Sequence, residues 1–291
     1  MSCNNIDYNN PLPEFEGLKF YVDAFNERRR IQQIMPICYE EQPVTWLLYE
    51  EEIRQFLKDR ENVSILDVGC GSGFWGLLLK KKFPEATVVC LDKNPIAIER
   101  ARYNSLLNHL DIQLVEGFYS KDQFEPESFD LIVLTPPYHL YDPSNTDRIP
   151  WFARGGDYGL QEFYSQSRIA KGHLKTDGII LFNQMSAGKD KPDYVLFYER
   201  LYKSGQLEYT SILEPIPTIE FLNGLYQPLE SEYLKEFAAR MPVLYYTSGI
   251  YHRSNDHFSF LDNTNSKTTI LNQLQQNWET RIALHKEINR F

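Results

Sequence analysis

Two consecutive prolines followed by a tyrosine form the stretch of this sequence best suited to chemistry. Pro136 and Pro137 come soon after the apolar run 129–134, which predicts a buried strand. Their rings fix the backbone and carry no N–H, so the carbonyls of this stretch remain rigid acceptors. Such an acceptor at the carboxyl end of a strand can orient the N–H of a nitrogen group. Tyr138 adds a flat face for a planar amide or base, and Thr135 adds a hydroxyl.

A second chemical feature is a glycine-rich stretch that begins two residues after Asp67. Gly69, Gly71 and Gly73 alternate behind the apolar run 63–68, and a helical pattern follows them. Closely spaced glycines allow a tight turn and bring the backbone close to a ligand, as in a nucleotide cradle. The carboxylate of Asp67 favours a ligand that carries an ammonium group. A dinucleotide fold is the alternative because the glycines nearly match G-x-G-x-x-G, but Asp67 would then face a pyrophosphate.

Further ligand groups follow the next two apolar runs. Asp92 ends the second run, where a carboxylate can accept hydrogen bonds from both ribose hydroxyls of a nucleoside. Lys93 stands next to it and is included in the same site. After the third run come Gly117 and Phe118, and the phenyl ring of Phe118 can pack on the face of a base.

These groups need a framework of parallel strands that end at one edge of a sheet. Apolar runs alternate with helical patterns, which predicts an α/β fold. The predicted strands cover 63–68, 86–92, 112–115, 129–134, a stretch that follows 178, then 207–215 and 241–250. The predicted helices between them cover 74–82, 96–109 and 192–204.

Two of these stretches resemble motifs of the class I S-adenosylmethionine (SAM) methyltransferases. Residues 67–73 are similar to motif I, Asp-x-Gly-x-Gly-x-Gly after a strand. Residues 135–138 are similar to motif IV, (Asn/Asp/Ser)-Pro-Pro-(Tyr/Phe/Trp), found where the acceptor is an amide or exocyclic amine nitrogen. The resemblance implies a Rossmann-like fold with seven mostly parallel strands and an antiparallel last strand. It also implies SAM as the cofactor.

The resemblance further implies which residues hold the cofactor and the acceptor. The cofactor site comprises Asp67, Gly69, Cys70, Gly71, Gly73, Asp92, Lys93, Gly117, Phe118 and Thr135. The acceptor site comprises Thr135, Pro136, Pro137 and Tyr138. Many relatives carry an aspartate where this chain has Gly117, so that its carboxylate reaches the adenine amine. Here Glu116, Tyr119 or the backbone would have to hold that amine.

A third stretch narrows the resemblance. Residues 155–164, Gly-Gly-Asp-Tyr-Gly-Leu-Gln-Glu-Phe-Tyr, resemble the Gly-Gly-x-Asp-Gly-Leu-x-x-Tyr loop of the HemK/PrmC protein-glutamine methyltransferases. The similarity covers about residues 63–185 and implies methylation of a glutamine side-chain amide in release factors or ribosomal protein. Thr135 departs from the family's asparagine. An asparagine amide can donate to and accept from a planar amide in a bidentate match, whereas threonine offers one hydroxyl, so the specific reason to expect glutamine is lost. Three acceptors remain: a protein or peptide nitrogen, a small-molecule or natural-product nitrogen, and an adenine in nucleic acid.

Composition bears on partners and location. The formal net charge of −10 provides no global attraction for polyanions, which makes nucleic acid the least favoured acceptor. The four cysteines have no metal spacing, so no metal is predicted, and reduced structural thiols fit a cytoplasmic protein. No apolar stretch approaches the roughly 20 residues that span a bilayer, and the amino end lacks the pattern of a signal peptide.

The chain divides into three predicted parts. Residues 1–60 are a helical amino-terminal segment, with helices expected over 15–35 and 43–58. Residues 61–252 are the SAM-binding domain, interrupted by an aromatic-rich insertion at about 216–240. This insertion is interpreted as a lid, a specificity element, plain decoration or a dimer contact, and a homodimer is a further expectation. Residues 253–291 form a carboxyl-terminal helical tail.

Overall fold

The computed structural model of the protein describes residues 14–22, 41–140, 153–225 and 229–272. Its framework is a nine-stranded sheet with helices on both faces, and a separate two-stranded hairpin lies near the amino end. The hairpin strands are β1 (Glu14–Phe15) and β2 (Leu18–Lys19). The strands of the large sheet are β3 (Ser64–Val68), β4 (Thr87–Asp92), β5 (Gln113–Glu116), β6 (Phe129–Leu134), β7 (Leu174–Gly188), β8 (Ser204–Ser211), β9 (Ile216–Pro217), β10 (Val243–His257) and β11 (Ser259–Asp262).

Seven helices surround the sheet in the described part of the chain. They are α1 (Gln42–Leu57), α2 (Phe74–Lys82), α3 (Pro95–Asn108), α4 (Gln161–His173), α5 (Asp193–Tyr202), α6 (Thr218–Leu225) and α7 (Glu232–Arg240). Within the described residues, no helix combines the length and the apolar character needed to cross a membrane.

The sheet has a parallel half and an antiparallel half. Strands β5, β4, β3, β6 and β7 are neighbours in that order and all run parallel. Strand β10 is antiparallel to both β7 and β8. The α/β class, the mostly parallel sheet and the antiparallel late strand are therefore confirmed. The count differs, because β9 pairs with β10 and β11 pairs with β8, which gives nine strands instead of seven.

Side-chain alternation along the parallel strands explains why both faces are covered. In β3, Ile65 packs into a core cluster with α1, α2 and α3, whereas Leu66 and Val68 pack on the opposite face with α4 and α5. Successive side chains of a strand point to opposite faces, so an all-apolar strand needs helices on both sides. The chain builds β3, β4 and β5 outward in one direction and β6 and β7 in the other. This reversal leaves a crevice at the carboxyl ends of the strands.

The amino-terminal segment differs from the expected helix over 15–35. Residues 14–19 form the β1–β2 hairpin, because Glu16 and Gly17 both adopt positive φ angles of 53° and 68°. Two successive positive φ angles make a turn that matches the twist of a hairpin. Residues 23–40 and most of the tail helix expected over 266–291 lie outside the described residues. The second expected helix corresponds to α1, and the domain limits remain a prediction.

Candidate active site

A cleft opens at the carboxyl ends of the parallel strands, beside the point where strand order reverses between β3 and β6. The loops after these strands form its walls together with one side of α4. Ten predicted site residues line this cleft: Gly69, Gly71, Asp92, Lys93, Gly117, Phe118, Thr135, Pro136, Pro137 and Tyr138. Three others, Asp67, Cys70 and Gly73, do not line it.

The glycine turn is fixed to the neighbouring strand. The backbone N–H groups of Gly69 and Cys70 donate to the carbonyl of Leu91 over 2.7 and 3.1 Å. Gly69 has a φ of 73°, and a Cβ at this position would meet no protein atom within 4 Å. A Cβ at Gly117 would also find open space. Both glycines therefore face the cleft with bare backbone, which is the surface that a closely bound ligand requires.

Asp92 stands where the glycine turn meets the end of β4. Its Oδ2 accepts from the backbone N–H of Gly71 over 3.0 Å, and its Oδ1 accepts from that of Asn94 over 2.9 Å. Each carboxylate oxygen can accept a second hydrogen bond. Burial raises the pKa of Asp92, although the backbone N–H groups oppose this shift. The carboxylate is thus held in place with acceptor capacity left for a diol in the cleft.

Asp67 lies beneath the glycine turn instead of in the cleft wall. Its side chain is fully buried, and Oδ2 accepts from the backbone N–H of Gly76 over 3.1 Å. Oδ1 has no hydrogen-bond partner among the described residues. Burial raises the pKa of Asp67 to about 7. The structure therefore places Asp67 behind the cleft lining, where it links the end of β3 to α2.

Cys70 and Gly73 pack beneath the glycine turn, on the side away from the cleft. The Cys70 thiol is buried against that of Cys90, and the hydrogen bond with Cys90 together with burial raises the pKa of Cys70. Gly73 has a φ of 83°, and a Cβ there would lie 3.1 Å from the side chain of Ala101. These two residues allow α2 and α3 to pack closely under the turn, so their contribution to the cleft is indirect.

At the other end of the cleft, Tyr138 is held by its hydroxyl. The phenol donates to the Glu41 carboxylate, and the Tyr246 hydroxyl lies 3.4 Å away. Burial and the neighbouring Glu41 carboxylate raise the pKa of Tyr138 well above its ordinary value, so the phenol stays protonated. Because the hydroxyl is occupied, the ring is the part of Tyr138 available to a ligand.

His139 is a cleft residue for which no role is predicted from the sequence. Its ring lies 5.1 Å from the Tyr138 ring, and its Nδ1 is buried without a partner among the described residues. Burial lowers the pKa of His139, so the imidazole is neutral near pH 7. The spacing of histidines carries no signal for such a position, since the wall forms only when the chain folds.

The loop that resembles the HemK/PrmC family packs behind this stretch. The N–H of Gly155 donates to the carbonyl of His139 over 3.2 Å. A Cβ at Gly159 would lie 2.5 Å from the carbonyl oxygen of Tyr138, which is too close for any other residue. The loop therefore supports the acceptor end of the cleft, and α4 begins directly after it.

Comparison with known proteins agrees with this geometry. Residues 52–155 match the family described as the methyltransferase small domain. This part of the chain is therefore similar to a methyltransferase domain. Methyltransferases of this kind use SAM as the methyl donor, and residues 52–155 offer bare glycine backbone and a fixed carboxylate to a ligand in the cleft.

The relatives that the chain matches carry two kinds of name. The chain is 35% identical over 125 residues to release factor glutamine methyltransferase of Flavobacterium psychrophilum, which covers 43% of this chain and 40% of the relative. It is 42% identical over 95 residues to the enzyme of the same name from Deinococcus radiodurans, over 32% of either chain. It is also 36% identical over 96 residues to ribosomal RNA large subunit methyltransferase G of Shewanella woodyi, over 30% of this chain and 23% of the relative. The chain thus spans less than half of the curated relatives it matches.

The buried carboxyl group of Asp67 predicts a pH effect on stability. A folded-state pKa of about 7 for Asp67, against the ordinary 3.8, means that the folded protein binds this proton more tightly than the unfolded chain does. Stability is therefore lost as the pH rises from about 4 to about 7. Relative to Asp67→Asn, wild type should lose about 2–3 kcal/mol between pH 5 and pH 8. Urea unfolding at pH 5 and pH 8 measures the difference in free energy of unfolding between wild type and Asp67→Asn. The same difference at both pH values would contradict the effect of burial on the pKa of Asp67.

Proposed function

We propose that the protein is a SAM-dependent methyltransferase that methylates an amide or amine nitrogen of a protein or peptide. The observation that carries this proposal is the position of Thr135-Pro136-Pro137-Tyr138, which shares one cleft with the glycine turn and Asp92. A cofactor site and a rigid acceptor for N–H groups therefore lie side by side.

Different residues of the cleft bind the cofactor and orient the acceptor in such a transfer. Bound SAM supplies an electrophilic methyl group on a sulfonium. Asp92 accepts from the ribose hydroxyls, and the bare backbone at Gly69 lets the cofactor lie close to the turn. The Pro136 carbonyl accepts the N–H of the acceptor and so points the nitrogen lone pair at the methyl carbon.

Two further side chains complete the acceptor end. The Tyr138 ring lies against the plane of the nitrogen group and keeps water away from it. The imidazole of His139 lines the same cleft, and because burial lowers its pKa it is a weak base, so the proton that the nitrogen releases after transfer passes to solvent. This arrangement needs alignment more than a strong base, because a sulfonium methyl is already reactive.

The acceptor class is supported by the relatives and by charge. Two of the matched relatives are named for a glutamine in a release factor, which is a protein acceptor. The net charge of −10 favours a protein over the RNA in the name of the third relative. Thr135 argues against a strict requirement for glutamine, so an amine is included.

Methyl transfer into a fractionated extract tests the proposal. Purified protein and SAM labelled in its methyl group are incubated with an extract of the organism that encodes the chain, and Asp92→Ala serves as the inactive control. Label in protein or peptide that depends on Asp92 is the expected result. Label confined to small molecules would overturn the protein acceptor, and label confined to nucleic acid would do the same.

Thr135→Asn tests kinship with the glutamine-specific enzymes. An asparagine side chain can donate to and accept from a glutamine amide, whereas threonine has a single hydroxyl. We expect the variant to methylate a glutamine-bearing release factor at least about tenfold faster than wild type, since one added hydrogen bond of about 1.4 kcal/mol has that effect. Thr135→Ser is the matched control, because it keeps one hydroxyl and should show no gain. Equal rates for both variants would contradict the assigned role of position 135.

A further inference from the structure

The adenine end of the cleft lacks the carboxylate that many related enzymes place there, because Gly117 occupies its position. The 6-amino group of adenine is a donor that needs an acceptor when it leaves water. Of the side chains considered from sequence, Glu116 is exposed and does not line the cleft. Tyr119 lines the cleft, but its hydroxyl is 3.0 Å from Nδ1 of His173. The amine is therefore left to the backbone or to another side chain of the cleft.

One face of α4 forms the wall opposite the strand ends. Glu162, Gln166 and Ile169 follow one another at helical spacing and all line the cleft. This face runs between the two ends of the site. At its carboxyl end, His173 bonds the Tyr119 hydroxyl in the loop after β5. At its amino end, the N–H of Gln161 donates to Gly155, whose own N–H donates to His139.

Gln166 contributes an unused hydrogen-bond acceptor to this wall. Its Oε1 is buried and has no hydrogen-bond partner among the described residues. Buried amide oxygens are normally paired, so an unpaired one in a ligand cleft points to a missing donor. Rotation about the last torsion of glutamine is soft, which lets the amide turn toward a base in the cleft.

We infer that Gln166 binds the adenine base of the cofactor, with its amide oxygen accepting from the 6-amino group. Its Nε2 can donate to a ring nitrogen in the same plane, which is the paired geometry that amide side chains use with adenine. Ile169, one turn further along α4, offers an apolar contact beside it. The inference rests on the proposed function, since it assumes that the cleft binds SAM.

Calorimetric titration with two thioethers tests this role without any methyl acceptor. The probes are S-adenosylhomocysteine and its purine-riboside analogue, which differs by lacking the 6-amino group. Wild type should bind the adenosyl compound about tenfold tighter, the effect of one hydrogen bond and of leaving the amide unpaired. Gln166→Met should bring the ratio of the two dissociation constants close to one. Gln166→Glu keeps an acceptor and should retain the preference.

The ratio separates a local role from a folding defect, because misfolding lowers the binding of both probes together. Gln161→Met is a matched control on the same helix, at a residue that does not line this cleft, and should keep the wild-type ratio. A wild type without preference for the adenosyl compound would overturn the inference, and so would a full preference in Gln166→Met. Binding of neither probe by wild type would instead overturn the proposed cofactor site, and the inference with it.

Discussion

Tyr138→Ala is expected to lower methyl transfer at least about 100-fold while the affinity for S-adenosylhomocysteine changes less than about threefold. The ring is the surface that aligns the acceptor nitrogen, and a misplaced acceptor costs about two orders of magnitude in rate. The cofactor, in contrast, is held by the glycine turn and Asp92, which Tyr138 does not contact through any described hydrogen bond. Initial rates with labelled SAM and calorimetry with S-adenosylhomocysteine measure the two effects.

Tyr138→Phe is the matched control for this experiment. It keeps the ring but removes the hydrogen bond to Glu41, so the ring loses its anchor and the rate should fall by less than in the alanine variant. Since Tyr138 is buried, thermal unfolding of each variant verifies that it is folded. Equal loss of cofactor affinity and of turnover in Tyr138→Ala would contradict the separation of the two ends of the cleft.

Asp92→Ala is expected to weaken S-adenosylhomocysteine binding at least about 100-fold. The variant removes a charged acceptor for two ribose hydroxyls, and hydrogen bonds to charged groups contribute about 1.5–3 kcal/mol each. It also releases the N–H of Gly71, which orders the glycine turn. Calorimetric titration of purified wild type and variant gives the ratio of dissociation constants.

Two matched variants show whether this loss is specific. Asp92→Asn keeps the shape and one acceptor but lacks the charge, so its affinity should lie between wild type and Asp92→Ala. Asp111→Ala removes an exposed carboxylate that does not line the cleft, and should bind as wild type does. If Asp92→Ala bound within about threefold of wild type, Asp92 would not be the ribose ligand.

Much of the parallel half of the fold could be predicted from the sequence because its signals are local. The buried run ending at Val68, the glycines after it and the run ending at Asp92 each specify a strand or turn within a few residues. The helix predicted over 74–82 agrees with α2. Ten predicted site residues meet in one cleft, since parallel strands place their carboxyl ends at the same edge.

The remaining features depend on contacts between distant parts of the chain. A carboxylate before a glycine turn can face a ligand or the next helix, and the direction of Asp67 is decided by the N–H of Gly76. Tyr138 meets Glu41 from 97 positions earlier in the chain. One carboxylate oxygen each of Glu52 and Glu208 and one ring nitrogen of His252 lie within 4.8 Å of one another, although the spacing of these residues in the sequence predicts no cluster.

Helix α4 is an intermediate case. Its cleft-facing positions, including Gln166, follow a regular helical spacing that the sequence contains. Polar residues at this spacing are typical of a solvent-exposed face, so they carried no signal for a binding wall. These residues form a wall only because the loop 155–159 places α4 against the strand ends, which is a contact between distant parts of the chain.

The central claim is transfer of a methyl group to nitrogen, and the most direct measurement is the chemical form of the transferred label. Protein labelled by the wild-type enzyme and methyl-labelled SAM is divided into two portions, one treated with mild base and one hydrolysed in acid. We expect that mild base releases no labelled methanol, and that acid yields labelled methylamine from an amide or an acid-stable N-methyl amino acid from an amine. Labelled methanol released by mild base would identify a methyl ester on oxygen and contradict the assignment of Thr135-Pro136-Pro137-Tyr138 as a nitrogen site.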